Sequence, residues 1–291
     1  MRYNGRPTEP PECFPEVMEK ACKYVEKIVD DEMRKRERFP FEWASCRGPD
    51  GQLWHANVAA ANCYEGAQES VGFHSDQLTY LGPYPTIASL SLGESTFYSQ
   101  AEFEDDVFIC IGTSRIFRLR EVIPSDEISS RCARTFNIPL PHNSVRCGVS
   151  LSDNPSLIEG PYLQLTIMHA KCQESFKHAI PPQPTLDLYR PLCPHPARPS
   201  SHPEPSNCRI NITFRFYRPD FPPKSTPRCK CGVPTILRPD MKNRHDSTTD
   251  RYWWVCYAGA QNDGKGCDFW RLMDMDAEGR GSAFTDSSQV G

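Results

Sequence analysis

Long apolar stretches are missing from this 291-residue chain: no run approaches the roughly 20 residues needed to cross a bilayer. The segment Met1–Glu12 likewise lacks the apolar core of a secretion signal. These two absences predict a membrane-free protein of a reducing compartment. There, 14 cysteines read as free thiols or metal ligands rather than as a disulfide framework. Helical patterns alternating with strands are also scarce, which sets aside parallel α/β architectures. Charge of either sign is not in large excess, at −4 overall, but it is uneven. Between Lys224 and Leu272 nine Lys/Arg stand against five Asp/Glu, whereas the last 19 residues carry −3 and the first 223 carry −5. A basic segment after a mildly acidic body suits a polyanion-binding appendage, and equally an ordinary solvated surface.

One helical pattern is present. Phe14, Val17, Met18, Ala21, Cys22, Val25, Ile28, Val29 and Met33 recur at helical spacing behind Pro15. After it come short β-like runs over Ala56–Tyr64, Thr86–Leu92, Arg115–Val122, Leu165–Ala170 and Cys208–Tyr217, punctuated by Gly and Pro. Many short strands predict a mainly β fold, a sandwich or jelly roll with one flanking helix. In the last run Ile210, Ile212, Phe214 and Phe216 alternate with Arg209, Asn211, Thr213 and Arg215. That is either a surface strand with a solvated polar face or a barrel strand whose polar face grips an anion. Two segments, 94–112 and 145–164, read as insertions interrupting strands that would otherwise continue, and retained introns in the gene model are our hypothesis for them. Nine prolines between Pro181 and Pro205 predict a proline-rich loop over 183–207, and four more from Pro219 to Pro227 predict an interdomain linker at 222–228.

His74 and Asp76 form an H-x-D that could point two ligands the same way from one strand. Taken alone, such a pair is more often surface hydrogen bonding than ligation. With His178 it gives two imidazoles and a carboxylate, the facial set that suits non-haem iron(II) and leaves positions open for a bidentate cosubstrate and oxygen. Arg209 and Arg215 supply guanidinium forks for a carboxylate.

Asn62-Cys-Tyr64, His74-Ser-Asp76, Ser89-Leu-Ser-Leu-Gly93, Arg115-Ile-Phe-Arg118, His178-Ala-Ile-Pro181 and Arg209-Ile-Asn-Ile-Thr-Phe-Arg215 stand in the order found in the AlkB family, which this chain resembles from about Pro15 to Phe221. The resemblance implies a double-stranded β-helix over residues 1–221. It implies iron on His74, Asp76 and His178, and 2-oxoglutarate held by Asn62, Tyr64, Arg209, Asn211 and Arg215. Between Asp76 and His178 lie 101 residues, and leaving out the 39 of the two insertions gives 62, near the family's usual spacing. His142 and His169 are rival distal ligands on composition, but neither precedes the Ile-Pro of the motif, and both read as structural. The implied activity is oxidative demethylation of N-alkylated bases with molecular oxygen, releasing formaldehyde, on a base flipped out or in a single strand. Repair members often carry an acidic residue just past the metal aspartate, whereas Leu78 stands in that neighbourhood here. The family's lid also precedes the barrel, so the N-terminus reads as truncated.

Cys229, Cys231, Cys256 and Cys267, spaced C-x-C, 24 residues, C, ten residues, C, predict a tetrahedral zinc site in a module over 229–272 that has too few residues for a large core. Cys229-Lys-Cys-Gly232, Arg251-Tyr-Trp-Trp-Val-Cys256 and Cys267-Asp-Phe-Trp270 resemble the GRF zinc finger, a nucleic-acid-binding module. Tyr252, Trp253, Trp254, Phe269 and Trp270 interleave with Lys230, Arg251, Lys265 and Arg271, which suits stacking and phosphate contact on a single strand. Arg251, Trp253 and Trp254 are the expected nucleic-acid contacts, although rings of this kind also fill small cores. Residues 273–291 read as a disordered acidic tail. The whole reads as a monomeric DNA-repair dioxygenase of the nucleus, or also the cytoplasm, that acts on DNA or RNA. A dioxygenase with another substrate and a catalytically dead nucleic-acid binder are the alternatives.

Overall fold

The computed structural model describes residues 2–3, 6–7, 9, 11–43, 51–91, 115–140, 164–183, 209–244, 250–260 and 265–281. Segment 94–112, nearly all of 145–164, most of the proline-rich loop and His142 lie outside these residues. Among the described residues no helix is long and apolar enough to cross a membrane.

Helix α1 (Glu16–Arg34) follows Pro15, which sits outside the first turn with extended backbone. Glu16 and Glu19 occupy its positive end and Arg34 its negative end. Its buried side chains include Cys22, Val25, Val29 and Met33, three or four residues apart, so a single stripe turns inward.

Among the described residues eight barrel strands follow: β1 (Val58–Tyr64), β2 (Val71–His74), β3 (Ile87–Ser91), β4 (Arg115–Glu121), β5 (Thr135–Leu140), β6 (Gln164–Met168), β7 (Phe176–Ile180) and β8 (Arg209–Arg215). They form two four-stranded sheets, β1-β8-β3-β6 and β2-β7-β4-β5, with every neighbouring pair antiparallel. Sequential strands alternate between the sheets except at β4 and β5, which pair as neighbours in the second sheet, and this is the double-stranded β-helix that the short strands and the resemblance predict. The two long segments therefore do not interrupt continuous strands. β3 lies in the first sheet and β4 in the second, as do β6 and β5 respectively, so each segment spans a change of sheet.

The alternation on β8 is resolved in an unexpected sense for a globular core. Its apolar residues face outward and are covered by α1: Phe214 packs with Cys22, Val25, Val29, Met33, Ala88, Leu90, Leu165 and Ile167, flanked by Ile210, Ile212 and Phe216. Its polar residues face into the barrel, where Asn211 Nδ2 donates to Ser89 Oγ at 2.9 Å and Arg209 donates to Ser91 Oγ.

A second core joins the barrel to a three-stranded sheet of β9 (Ile236–Pro239), β10 (Tyr252–Val255) and β11 (Trp270–Leu272). Leu78, Leu81, Phe117, Leu119 and Phe176 from the barrel side cluster with Leu237, Tyr252, Trp254, Met273 and Met275. The C-terminal module is thus packed on the barrel rather than held at the end of a linker. Pro223–Ser225 form a short 3-10 turn, and Phe221 just before it is buried. Nor do residues 273–281 trail away as an acidic tail. Arg280 is buried with its guanidinium over the rings of Phe221 (4.3 Å) and Trp254 (5.1 Å), and Gly281 N donates to Asp220 Oδ2 at 2.8 Å. Apolar Met273 and Met275, one residue apart, explain why a segment rich in acids docks.

Candidate functional site

His74 ends β2, and Asp76 lies two residues beyond it, past the strand rather than on it as the H-x-D spacing suggests. His178 sits on β7 directly opposite His74 in the register. One ligand atom from each of the three lies within 4.8 Å of the others, so the structure brings together residues 102 positions apart. Nε2 of His74 and Nε2 of His178 are 3.8 and 3.7 Å from Asp76 Oδ1. The two imidazole centroids are 4.2 Å apart. His74 Nδ1 is 2.8 Å from Gly72 O, which fixes the tautomer and leaves Nε2 as the acceptor. Phe117 stacks on His178, with centroids 5.6 Å apart, and restricts that ring from the other side. His178 Nδ1 is buried with no hydrogen-bond partner. The His74 side chain is 42% exposed against 10% for both His178 and Asp76, so the site opens on the His74 side.

Burial alone would push the Asp76 carboxyl up. The Arg215 guanidinium, with His178 and His74, outweighs that and holds it below the usual carboxylate range. Arg215 Nε and Nη2 both donate to Asp76 Oδ2 at 2.9 Å, which leaves Oδ1 to face the imidazoles. The sequence expectation gives Arg215 to the organic acid; in the structure its fork is held by Asp76. Burial, only partly offset by Asp76, lowers His178 to about 4, so the imidazole is neutral at pH 7 and able to donate its lone pair.

The cross-strand register gathers the expected acid-binding residues. Tyr64 on β1 stands opposite Arg209 on β8, and Asn62 opposite Asn211. Arg209 is buried, and desolvation lowers it to about 10, with Tyr64 acting to raise it and nearby Arg115 to lower it further. Arg115, also buried, donates to Gly66 O at 2.5 Å. Two buried cations in one corner call for an anion. Thr166 Oγ1 and Asn211 Oδ1, both buried, have no hydrogen-bond partner, as befits atoms lining a ligand cavity. The donors therefore fit an iron(II) ion beside a dicarboxylic acid.

The second cluster comprises Cys229, Cys231, Cys256 and Cys267, whose Sγ atoms also lie within 4.8 Å of one another. The Cys229–Gly232 turn closes with Gly232 N donating to Cys229 O at 2.9 Å, and Gly232 adopts φ +73°, where a Cβ is strained. Lys230 Nζ meets Asp268 at 2.9 Å and ties the two ends of the cluster. Burial would raise the Cys267 thiol, but the Phe269 amide and the neighbouring thiols bring it to about 6. Cys231, by donating to Cys267, is pushed up to about 12. Four sulfurs sharing protons in this way fit a closed zinc site.

Strand β10 of the small sheet has two unlike faces, whereas β11 is exposed along its length. Leu237, Tyr252 and Trp254 turn to the barrel and are buried; Arg238 and Leu272, directly across from Trp253, turn to solvent with it. Trp254 is therefore no nucleic-acid contact: it is fully buried, with Nε1 donating to Glu278 at 3.1 Å. Trp253 is half-buried and meets Trp270, 67% exposed, edge to face at 4.9 Å. Arg251 is 55% exposed and 3.5 Å from Asp240. The period-2 alternation of Tyr252-Trp-Trp-Val255 is the signal that separates these rings. Leu78 is buried in the shared core. His169 is buried, with Nδ1 3.5 Å from Arg36 Nε, and takes no part in the cluster.

Gln173, Phe117 and Arg115 are site residues that composition does not single out. Gln173 lies in the four-residue helix α2 (Cys172–Ser175) and is completely buried, and its Oε1 accepts the Asp76 N–H at 2.8 Å. Only the fold brings it there.

A family model described as the 2OG-Fe(II) oxygenase superfamily matches residues 1–147, half of the chain, including His74 and Asp76. No curated protein matches the sequence significantly.

Proposed function

This chain belongs to the 2OG-Fe(II) oxygenase superfamily, and from that premise we propose that it demethylates N-alkylated bases in nucleic acid, with iron(II) held by His74, Asp76 and His178. When bound, ferrous iron and 2-oxoglutarate supply the oxidising chemistry: oxygen is reduced as the keto acid becomes succinate and carbon dioxide, and one oxygen atom enters a substrate C–H bond. A methyl group on a base nitrogen so hydroxylated leaves as formaldehyde.

The protein's residues have separable tasks. His178 presents a neutral imidazole, His74 faces it across the strand register, and Arg215 keeps Asp76 ionised and turned toward them. Arg209 binds the distal carboxylate of 2-oxoglutarate in the buried corner it shares with Arg115, while Asn62, Tyr64 and Asn211 line the same face. The barrel walls exclude water on the His178 side, and substrate enters over His74, the exposed ligand. The cysteine cluster takes zinc.

One observation carries the nucleic-acid reading. The outward face of the small sheet offers the indole rings of Trp253 and Trp270 for stacking, with Arg238 and Arg251 beside them for phosphate. Leu78, apolar and buried where repair members often carry an acidic base-reading group, favours a second reading, a dioxygenase acting on another substrate. Formaldehyde release from methylated single-stranded DNA, dependent on iron(II) and 2-oxoglutarate and abolished in His74→Ala, is the expected result. Succinate formation that methylated DNA and RNA fail to stimulate would favour the second reading.

A further inference from the structure

The segment from Ser75 to Tyr84 carries Asp76 away from β2 and then runs against the C-terminal module, and several of its hydrogen bonds are made with that module or with α2. Ser75 Oγ donates to Phe176 O at 3.1 Å and rests 3.7 Å from Met241 Sδ. Asp76 N donates to Gln173 Oε1. Leu78 N donates to Leu237 O at 3.1 Å, and Leu237 N donates in return to Thr79 Oγ1 at 3.2 Å. Tyr84 Oη accepts Asp250 N at 3.0 Å. Glu174 Oε1 takes both Tyr84 N (3.0 Å) and the Tyr252 hydroxyl (3.1 Å).

The cysteines grip the other end of the same strands. Cys231 lies five residues before Ile236 of β9, Cys256 directly follows Val255 of β10, and Cys267 lies three residues before Trp270 of β11. A metal in this cluster fastens all three strands of a sheet whose own core is small. Two of the strands so fastened hold the segment: β9 meets Leu78 and Thr79 through Leu237, and β10 meets Tyr84 through Tyr252.

We propose that the four-cysteine module is a positioning wall for the iron centre, with Thr79 and Tyr252 as positioning residues, so that metal occupancy at the cysteines sets metal affinity at His74, Asp76 and His178. The proposal rests on the assignment of iron to that triad and adds a dependence of one metal site on the other. It replaces a tethered finger by a structural one: substrate capture and iron retention share the same small sheet.

The test is manganese(II) binding to the full-length zinc-loaded chain, followed through the paramagnetic resonance of the free ion, with amide exchange over residues 76–84. Manganese prefers nitrogen and oxygen donors and leaves the thiolate site alone. Wild type is expected to bind one equivalent and Asp76→Ala none. Thr79→Val with Tyr252→Phe is expected to bind about tenfold more weakly, the order of loss seen when second-layer partners of metal ligands are removed, and to exchange the Asp76 and Leu78 amides faster. Thr79→Ser, which keeps the hydroxyl, is expected to bind as wild type, an outcome that general destabilisation would not give. Cys229→Ser with Cys256→Ser is expected to weaken manganese binding in the same direction; should that variant not fold, the Thr79/Tyr252 pair decides. If that pair binds manganese and exchanges its amides as wild type does, the proposal is overturned while the triad stands. If wild type binds no better than Asp76→Ala, the iron assignment fails and the proposal with it.

Discussion

Arg215 and Arg209 lie six residues apart on one strand, yet their neighbourhoods give them different work. Arg215 is committed to Asp76 through two nitrogens, so Arg215→Met should free the carboxylate to rotate and lose charge. The expected result is a metal affinity about 10- to 100-fold weaker, read by the same manganese titration, with little change in affinity for the organic acid. Arg209→Lys should instead raise the KM for 2-oxoglutarate, because an ammonium cannot reproduce a planar fork in a buried corner. Metal binding should be nearly unchanged in that variant. The alternation of charge along Arg209–Arg215 makes both residues visible in the sequence as a polar face. Their division of labour is not visible there, because Asp76 reaches Arg215 only through the packing of one sheet over the other. Gln173 is hidden for the same reason, since a glutamine in a four-residue helix has no pattern of its own.

At the scale of elements, α1 and five of the barrel strands are legible from periodicity, each within a residue or two of its bounds. The missed strands have physical reasons. β2 has only four residues with no clean alternation, β5 is mostly exposed and contains Pro139, and β7 combines Lys177 with His178. β4 shows what such a strand gains from its ends. Its last residue, Glu121, is buried and accepts a bidentate pair from Arg131 at 2.8 and 2.9 Å, with Arg134 Nε at 3.0 Å. The Arg131 hydrogen bonds, aided by Arg134, outweigh burial and bring this carboxyl down to about 2. Because the folded value lies below the unfolded one near 4.5, the stabilisation is complete above pH 4.5 and disappears as pH falls toward 2. Glu121→Gln should therefore lower the melting temperature at pH 7 and show a smaller further drop than wild type between pH 4.5 and pH 2, measured by thermal denaturation across that range.

For the molecule as a whole, the two faces of the small sheet separate stability from substrate capture. Trp270→Ala removes an exposed ring and should weaken single-stranded DNA binding by roughly 1–3 kcal/mol with no change in melting temperature, as measured by fluorescence anisotropy and calorimetry. Trp254→Ala removes a ring from the core shared with the barrel and should cost about 3–5 kcal/mol of stability. The two modules are legible as separate motifs in the sequence, but their fusion is not. It depends on apolar residues such as Leu78, Leu237 and Met275, which any core would contain. The strand order has one more implication. β8 lies between β1 and β3, so it is the last barrel strand to be synthesised and yet fills an interior place. A nascent chain halted within the proline-rich stretch would already own His74, Asp76 and His178, the proposed iron ligands, but would leave a slot roughly 9–10 Å wide between two bare strand edges. Such a fragment could hold metal without its organic acid and would offer those edges to other chains, which makes the arrival of β8 the step that both supplies the acid-binding arginine and closes the sheet.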